Sequence, residues 1–135
     1  MTESEQIEKV LKNAKTIAVV GLSSNPMRAS HGVSAYMQAQ GYRIIPVNPR
    51  ESAVLGEACY PDLDAVPEAI DIVNIFRRPE HVPEIVEAAI RKGAKVIWMQ
   101  EGVYHEEAAR RAEEAGLVVI MDRCILKDHR RLGAA

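Results

Sequence analysis

Short apolar runs alternate along this chain with segments of helical periodicity. Five runs are rich in β-branched residues and have the length of strands: residues 16–20, 43–47, 71–76, 95–99 and 117–121. They lack the strict apolar–polar alternation of a half-exposed strand, so we predict strands that are covered on both faces. A weaker segment near residues 58–60 predicts a short edge strand.

Helical spacing fills the intervals between these strands. Ile7, Val10 and Leu11 stand at positions i, i+3 and i+4, which is typical of one buried helix face. Ser30 is the predicted N-cap of the second helix, and Gly93 the predicted end of the third. Helices are predicted over residues 4–13, 31–40, 79–92 and 105–115, with a brief helical turn within 63–69.

The alternation of strands and helices predicts one α/β domain over residues 1–135. The leading helix is placed in residues 1–14 and a polar, basic tail in residues 124–135. Strands joined through helices pair in parallel, because only a crossover returns the chain to the same edge of the sheet. The predicted fold class is therefore a doubly wound, mainly parallel sheet of five or six strands with helices on both faces.

The predicted strand order, 3-2-1-4-5, places residues 16–20 beside residues 71–76. The strand order reverses at this pair, and ligands of doubly wound sheets bind outside the carboxyl ends of the strands at such a point. One crevice is therefore predicted, surrounded by the loops at residues 21–30, 48–50, 76–79 and 100–102.

Composition narrows the classes of ligand and partner. The chain has 135 residues, a net charge of −2 and only 4% aromatic residues, which disfavours a nucleic-acid surface or an anionic membrane as partner. The polar, acidic N-terminus is unlike a signal peptide, and no apolar run reaches membrane-spanning length. Cys59 and Cys124 lie far apart and are predicted to be reduced thiols. We expect a cytoplasmic protein with a small-molecule ligand.

The histidines predict no metal site. His31, His81, His105 and His129 are scattered, without metal-ligand spacing on one helix face. No Ser-His-Asp or Cys-His arrangement and no hydride-transfer residue is evident either, so no catalytic residue is assigned.

The loop after the first strand suits a diphosphate. Gly21 allows the backbone to approach a ligand closely, Leu22, Ser23 and Ser24 offer N–H groups and hydroxyls, and Arg28 adds a cation just before the helix. The next glycine is Gly32, so the G-x-G-x-x-G pattern of dinucleotide-binding loops is absent. The alternative interpretation is an ordinary strand-to-helix turn with a solvated arginine.

The end of the second strand distinguishes between nucleotide classes. NAD-binding domains usually carry Asp or Glu there, which binds the ribose hydroxyls. This chain has Asn48, Pro49 and Arg50 instead, and Glu51 follows only after Pro49 has redirected the chain. A cation at this place suits a phosphate on the ribose, which NADP carries at the 2′ position and coenzyme A at the 3′ position. The spacing alone leaves both open.

Four motifs give the chain a specific resemblance between about residues 16 and 124. They are AVVGLS at 18–23 followed by Asn25-Pro26, PVNP at 46–49, DIVNIFR at 71–77 and WMQEGV at 98–103. In this order and spacing they resemble the small stand-alone CoA-binding proteins of bacteria and archaea. These are single Rossmann-like domains similar to the CoA-binding domain of the succinyl-CoA synthetase α subunit.

The resemblance implies coenzyme A or an acyl-CoA as ligand, and it implies a role for each loop. The diphosphate and adenosine side would be lined by Gly21, Leu22, Ser23, Ser24, Asn25 and Arg28. The ribose 3′-phosphate would lie near Asn48, Pro49 and Arg50. The opposite wall would be formed by Phe76, Arg77 and Arg78. The pantetheine path would be flanked by Gln100, Glu101 and Gly102, a turn similar to the Thr-Glu-Gly turn that contacts CoA in the synthetases.

The expected function is CoA binding without catalysis, because the synthetases use a second, phosphohistidine-bearing domain and a nucleotide-binding partner subunit. Two alternatives stay open: an NAD(P)-binding oxidoreductase component, and the CoA-binding subunit of an acyl-CoA ligase complex. Glu101 is the one candidate general acid or base. The competing interpretation is that Glu101 fixes its loop by accepting backbone N–H bonds.

Overall fold

A parallel sheet forms the centre of the molecule, whose computed structural model describes residues 1–133. The strands along these residues are β1 (Thr16–Val20), β2 (Arg43–Val47), β3 (Ala53–Val54), β4 (Glu57–Ala58), β5 (Ile72–Ile75), β6 (Val96–Met99) and β7 (Val118–Ile120). Five of them make the main sheet in the order β2-β1-β5-β6-β7, and all neighbours pair in parallel. The predicted α/β class and the adjacency of the first strand to the strand at 72–75 are confirmed.

Helices cover both faces of this sheet, as predicted. They are α1 (Glu3–Asn13), α2 (Ala29–Ala39), α3 (Val82–Lys92), α4 (Glu106–Glu114) and α5 (Ile125–Leu132), with short 3₁₀ turns at Leu63–Ala65 and Pro79–His81. The apolar residues of α3 and α4 pack on one face of the sheet. Those of α1, α2 and α5 pack on the other face, around the fully buried Trp98 of β6.

The prediction of an edge strand at 58–60 is wrong about its length, and its position is only partly confirmed. β3 and β4 form a separate antiparallel hairpin whose turn uses Leu55 and Gly56 at positive φ. Only Tyr60 reaches the main sheet, as a single parallel bridge beside Val47. Since Pro61 follows at once and the hairpin occupies the residues before it, no extended run remains to continue the ladder.

The amino ends of the strands are joined through Asp71. Its carboxylate accepts hydrogen bonds from the backbone N–H groups of Lys15 (2.7 Å) and Thr16 (3.2 Å), and the Thr16 hydroxyl accepts one from the Asp71 N–H. Lys95 Nζ lies 3.5 Å from the same carboxylate. This end of the sheet is therefore closed by paired polar groups.

The predicted basic tail is a helix in the described residues, whereas Ala134 and Ala135 lie outside them. α5 buries Ile125, Asp128 and His129, and it ends at Gly133 in the left-handed conformation. Buried Asp128 receives a two-pronged hydrogen bond from Arg123 (2.8 and 2.7 Å). The buried face of α5 was missed because two of its residues are polar, and the burial of Asp128 depends on the arginines that pair with it.

Within residues 1–133, no helix is both long and apolar enough to cross a membrane.

Candidate functional site

The turn at Gly21 holds together three strand ends at the point where the strand order reverses. The Gly21 N–H donates to the Val47 carbonyl of β2 (2.8 Å), and the Phe76 N–H, just beyond β5, donates to the Val20 carbonyl of β1 (2.9 Å). Gly21 has φ +92°, and a Cβ on it would stand 2.5 Å from the Phe76 carbonyl oxygen. Only glycine fits this turn without strain, so the loops after β1 and β5 lie against each other here.

The N–H groups of the first loop already have acceptors, which the sequence did not predict. The Ser23 N–H donates to the Ser30 hydroxyl (3.1 Å), the Asn25 N–H to the Ser23 hydroxyl (3.0 Å) and the Met27 N–H to the Asn25 side chain (2.9 Å). Ser30 is therefore not the N-cap of α2. That position belongs to Arg28, whose side chain makes no capping hydrogen bond.

Two other predicted residues of the first loop differ in exposure. Leu22 is fully buried in the core, so only its backbone faces the crevice side of the sheet. The Ser24 N–H donates to the Glu51 carboxylate, 2.8 Å away and carried by the loop after β2. Glu51, which follows Pro49 in sequence, therefore contacts the first loop through its carboxylate.

Asn48 at the end of β2 is a structural link between loops. Its side-chain amide donates to the Leu22 carbonyl (3.0 Å), and its side-chain oxygen accepts the Arg50 N–H (2.9 Å). Both functional groups of the amide are thus used within the protein, whereas Pro49 and Arg50 are exposed at the edge of the crevice. Cys59, which the sequence analysis did not place at the site, donates from Sγ to the Asn48 carbonyl (3.4 Å).

A cavity of about 300 Å³ opens between the loops after β2 and β5. Pro49 and Arg77 stand on its two sides, and the ends of β1 and β2 form its floor. Its apolar lining includes Val20, Val47, Leu63, Ile85 and Ala88. Of the three residues predicted for the opposite wall, Arg77 lines this cavity, Phe76 is half-buried against the other face of the sheet and Arg78 is exposed.

The side chains of the fourth predicted loop, residues 100–102, make contacts that the sequence did not predict. Gln100 is buried, and its side-chain oxygen accepts the Ile125 N–H at the start of α5 (3.0 Å). Glu101 pairs with Lys127 (3.1 Å to both oxygens), a pairing that raises the pKa of Lys127.

The acceptor that fixes this loop is the carboxylate of Asp122, 20 positions further along the chain. This carboxylate takes the Gly102 N–H (2.8 Å). Glu101 makes no backbone hydrogen bond in the part of the chain described, so the expectation that it fixes the loop is wrong. The Asp122 backbone has φ +57°, a conformation that Asp tolerates better than most residues.

Charges of both signs surround the crevice, since Asp62, Asp64 and Glu84 also line the cavity. Arg28, Arg50, Arg77 and Arg78 stand on three of the loops, and none has an ion-pair partner among residues 1–133. By contrast Arg43, Arg91, Arg111 and Arg123 all hold carboxylates. Unpaired guanidiniums on neighbouring loops make this end of the sheet a place for an anion, above all a phosphate.

The described residues contain no cluster of three or more His, Cys, Asp or Glu side chains able to hold a metal ion. Burial raises the pKa of the Cys59 thiol, and Cys124 is buried. The surroundings of Cys59 therefore do not activate it as a nucleophile.

Comparison with protein families gives one match, to a family described as "CoA binding domain", over residues 15–130. The uncharacterized protein YneT of Bacillus subtilis is 46% identical over 124 residues, and the match covers 92% of each chain. The alpha subunit of the ADP-forming acetate–CoA ligase II of Pyrococcus furiosus is 28% identical, over 90% of this chain. The match spans only 30% of that ligase subunit.

Solved structures show the same fold. A hypothetical protein from Pyrococcus horikoshii superposes with a TM-score of 0.94 at 42% identity, covering 97% of this chain and 92% of that one. A protein from Thermus thermophilus superposes with a TM-score of 0.92 at 34% identity, covering 97% and 99%. The match extends along nearly the whole of both chains, so the overall fold is the same.

Proposed function

The chain belongs to the CoA binding domain family, and from that premise we propose that it binds coenzyme A or an acyl-CoA at the carboxyl ends of its strands. The observation that carries the proposal is the group of four arginines, at 28, 50, 77 and 78, whose guanidiniums have no carboxylate partner within residues 1–133. Coenzyme A brings a diphosphate and a ribose phosphate, which are the groups that arginine binds best.

The cavity between Pro49 and Arg77 is the proposed adenine subsite. Its apolar floor and volume of about 300 Å³ suit a flat base, and they lie at the lower end of the usual range for ligand pockets. The ribose phosphate would then lie at the exposed edge beside Arg50. Asn48 contributes by holding Arg50's backbone in place, since its own amide is already bonded.

The diphosphate is proposed to follow the first loop from Gly21 to Asn25, with Arg28 as its cation. Gly21 brings the backbone close and Leu22 supplies main chain only, because its side chain is in the core. Pantetheine would extend towards Gly102 and exposed Glu101. The buried Gln100 supports this turn from below through its hydrogen bond to α5.

We propose a binding role without catalysis by this chain. Glu101 is engaged by Lys127, and burial raises the pKa of Cys59, so neither is prepared for acid–base or nucleophilic chemistry. Incubation with acyl-CoAs, or with CoA, carboxylic acids, nucleoside triphosphate and Mg²⁺, is expected to give no turnover. Turnover lost on Glu101→Gln or Cys59→Ser would overturn this.

A second candidate is the CoA-binding part of a ligase complex. The similarity to the alpha subunit of the P. furiosus acetate–CoA ligase, over 90% of this chain, favours it. In that case the same crevice binds CoA, and the chemistry depends on groups supplied by a partner.

Isothermal titration with CoA, dephospho-CoA, NAD and NADP tests the proposal. We expect CoA to bind most tightly and dephospho-CoA more weakly by about 1.5–3 kcal/mol, the worth of a hydrogen bond to a charged group. Arg50→Ala should remove most of that difference, whereas Arg110→Ala, the same charge change on exposed α4, should not. Tighter binding of NAD or NADP than of CoA would support the oxidoreductase alternative instead.

A further inference from the structure

Among the described residues of the first loop, 21–30, Ser24 is the one whose backbone N–H donates to a side chain of another loop. The acceptors for Ser23, Asn25 and Met27 are neutral side-chain oxygens within residues 23–30. Ser24 instead donates to Oε2 of Glu51 (2.8 Å), across 27 positions of sequence. A negative oxygen therefore already occupies the donor that a phosphate of the ligand would use.

The Glu51 carboxylate is held by Ser24, through its N–H and its hydroxyl. Glu51 is partly exposed, and among residues 1–133 it has no ion-pair partner. The hydrogen bonds from the Ser24 N–H and hydroxyl lower the pKa of Glu51, so the group is ionised at neutral pH. The contact is thus favourable in the free protein, and it is exposed enough to be broken.

A phosphate oxygen and the Glu51 carboxylate cannot share the Ser24 N–H. Two anions at one donor repel each other, and the hydrogen bond can serve only one of them well. A ligand diphosphate on the first loop must therefore move Glu51 away before it gains this donor.

We propose that Glu51 is an internal competitor of the ligand diphosphate, one that occupies the Ser24 N–H in the free protein and is displaced on binding. This inference rests on the proposed function. It assigns to Glu51 a negative effect on affinity, which is the reverse of the ribose-binding carboxylate of NAD-binding domains. Ligands without a diphosphate are indifferent to it, so the contact lowers the affinity only of ligands that carry one.

Glu51→Gln tests the competition, because glutamine keeps the shape and the acceptor but not the charge. Titration with CoA and with dephospho-CoA should show roughly three- to tenfold tighter binding than wild type, a gain that shrinks as salt screens the charges. Pantetheine, which has no diphosphate, should show no change. The matched control is Glu113→Gln on exposed α4, which makes the same charge change away from the crevice and should leave affinity unaltered.

Equal or weaker binding of CoA by the glutamine variant overturns the inference and makes Glu51 a ligand-binding or loop-ordering residue. A gain with CoA but none with dephospho-CoA also overturns it, because Glu51 would then act on the ribose phosphate. If the wild-type protein binds neither compound, the proposed function fails.

Inorganic pyrophosphate, followed at the Ser24 amide resonance by NMR, decides the competition in that case. The amide should shift at lower pyrophosphate concentration in Glu51→Gln than in wild type. Identical titrations would overturn the inference.

Discussion

The two ends of the parallel sheet are built from the same strands, but they differ in how many of their charged side chains have ion-pair partners. At the amino end, Asp71 bonds to the backbone of Lys15 and Thr16 and lies beside Lys95, and Arg43 holds Glu57 and Glu68. At the carboxyl end, arginines on three loops have no such partner within residues 1–133. Paired charge closes the amino end. The carboxyl end also has a pair, Glu101 with Lys127, but the arginines on its loops are unpaired within residues 1–133 and make it a place for an anion.

The difference separates stability from binding along one set of strands. Hydrogen bonds to charged groups stabilise a fold only when both partners are fixed by it, as Asp71 is. Exposed arginines without partners add little to stability, and their charge stays available to a ligand. Substitutions at the two ends should therefore affect different measurements.

Gly21→Ala is the exception to this separation with the largest expected effect, because Gly21 lies at the binding end of the sheet and yet determines stability. The added Cβ would meet the Phe76 carbonyl at 2.5 Å, with the backbone at φ +92°. We expect a loss of roughly 3–4 kcal/mol in the free energy of unfolding, measured with urea. Gly32→Ala, in open space on α2, is the matched control and should stabilise by up to about 1 kcal/mol. A loss below 1 kcal/mol at Gly21 would mean that the turn can rearrange.

Arg28→Ala sharpens the comparison from the binding end. Its guanidinium has no ion-pair partner along residues 1–133, and the residue is exposed ahead of α2. We expect CoA to bind about 1–2 kcal/mol more weakly, while the unfolding free energy stays within about 0.5 kcal/mol of wild type. Arg110→Ala should alter neither. A lower melting temperature with unchanged affinity would contradict the assignment and make Arg28 structural.

Asp71→Asn gives the smallest expected effect. The pH dependence of its stability tests whether the Asp71 charge stabilises the amino end of the sheet. Burial alone would raise the pKa of Asp71, but the Lys15 and Thr16 N–H groups and Lys95 outweigh it and lower the pKa. A carboxyl with a lowered folded pKa adds stability above its unfolded pKa, about 3.9, and loses it as pH falls through the folded value. The variant should be about 1 kcal/mol less stable at pH 7, with the gap narrowing below pH 4.

Urea unfolding at pH 7, 5 and 3 measures this gap, and CoA titration at pH 7 should show no change. A gap that stays constant down to pH 3 would show that the Asp71 charge does not stabilise the folded state.

The strands and most helices were predictable because their signals are local. A run such as residues 43–47 is apolar at every position that the sheet covers, and a helix such as α3 carries its own period and its own glycine end. The predicted neighbourhood of β1 and β5 is confirmed, but the third strand predicted beyond β2 is reduced to the bridge at Tyr60. The lengths of the short edge segments could not be predicted, since they depend on turns such as the one at Leu55 and Gly56.

The sequence indicated which loops surround the candidate site, but not the hydrogen bonds that these loops make. Ser24 with Glu51, Gln100 with Ile125 and Gly102 with Asp122 are pairs 20 to 27 positions apart. Nothing in the local pattern indicates them. Buried Asp128 was missed although its partners Arg123 and Arg131 are near it in sequence, because nothing in the pattern shows that a charged residue is buried.

Trp98 gives this molecule a spectroscopic reporter of its own. It is the chain's single tryptophan, it is fully buried in β6, and its indole N–H donates to the Arg123 carbonyl just ahead of α5 (2.8 Å). Its emission therefore originates from one apolar environment next to the C-terminal helix and two positions before Gln100. Detachment of α5 would move the emission to longer wavelength and admit a quencher, whereas a ligand confined to the crevice would leave the spectrum unchanged.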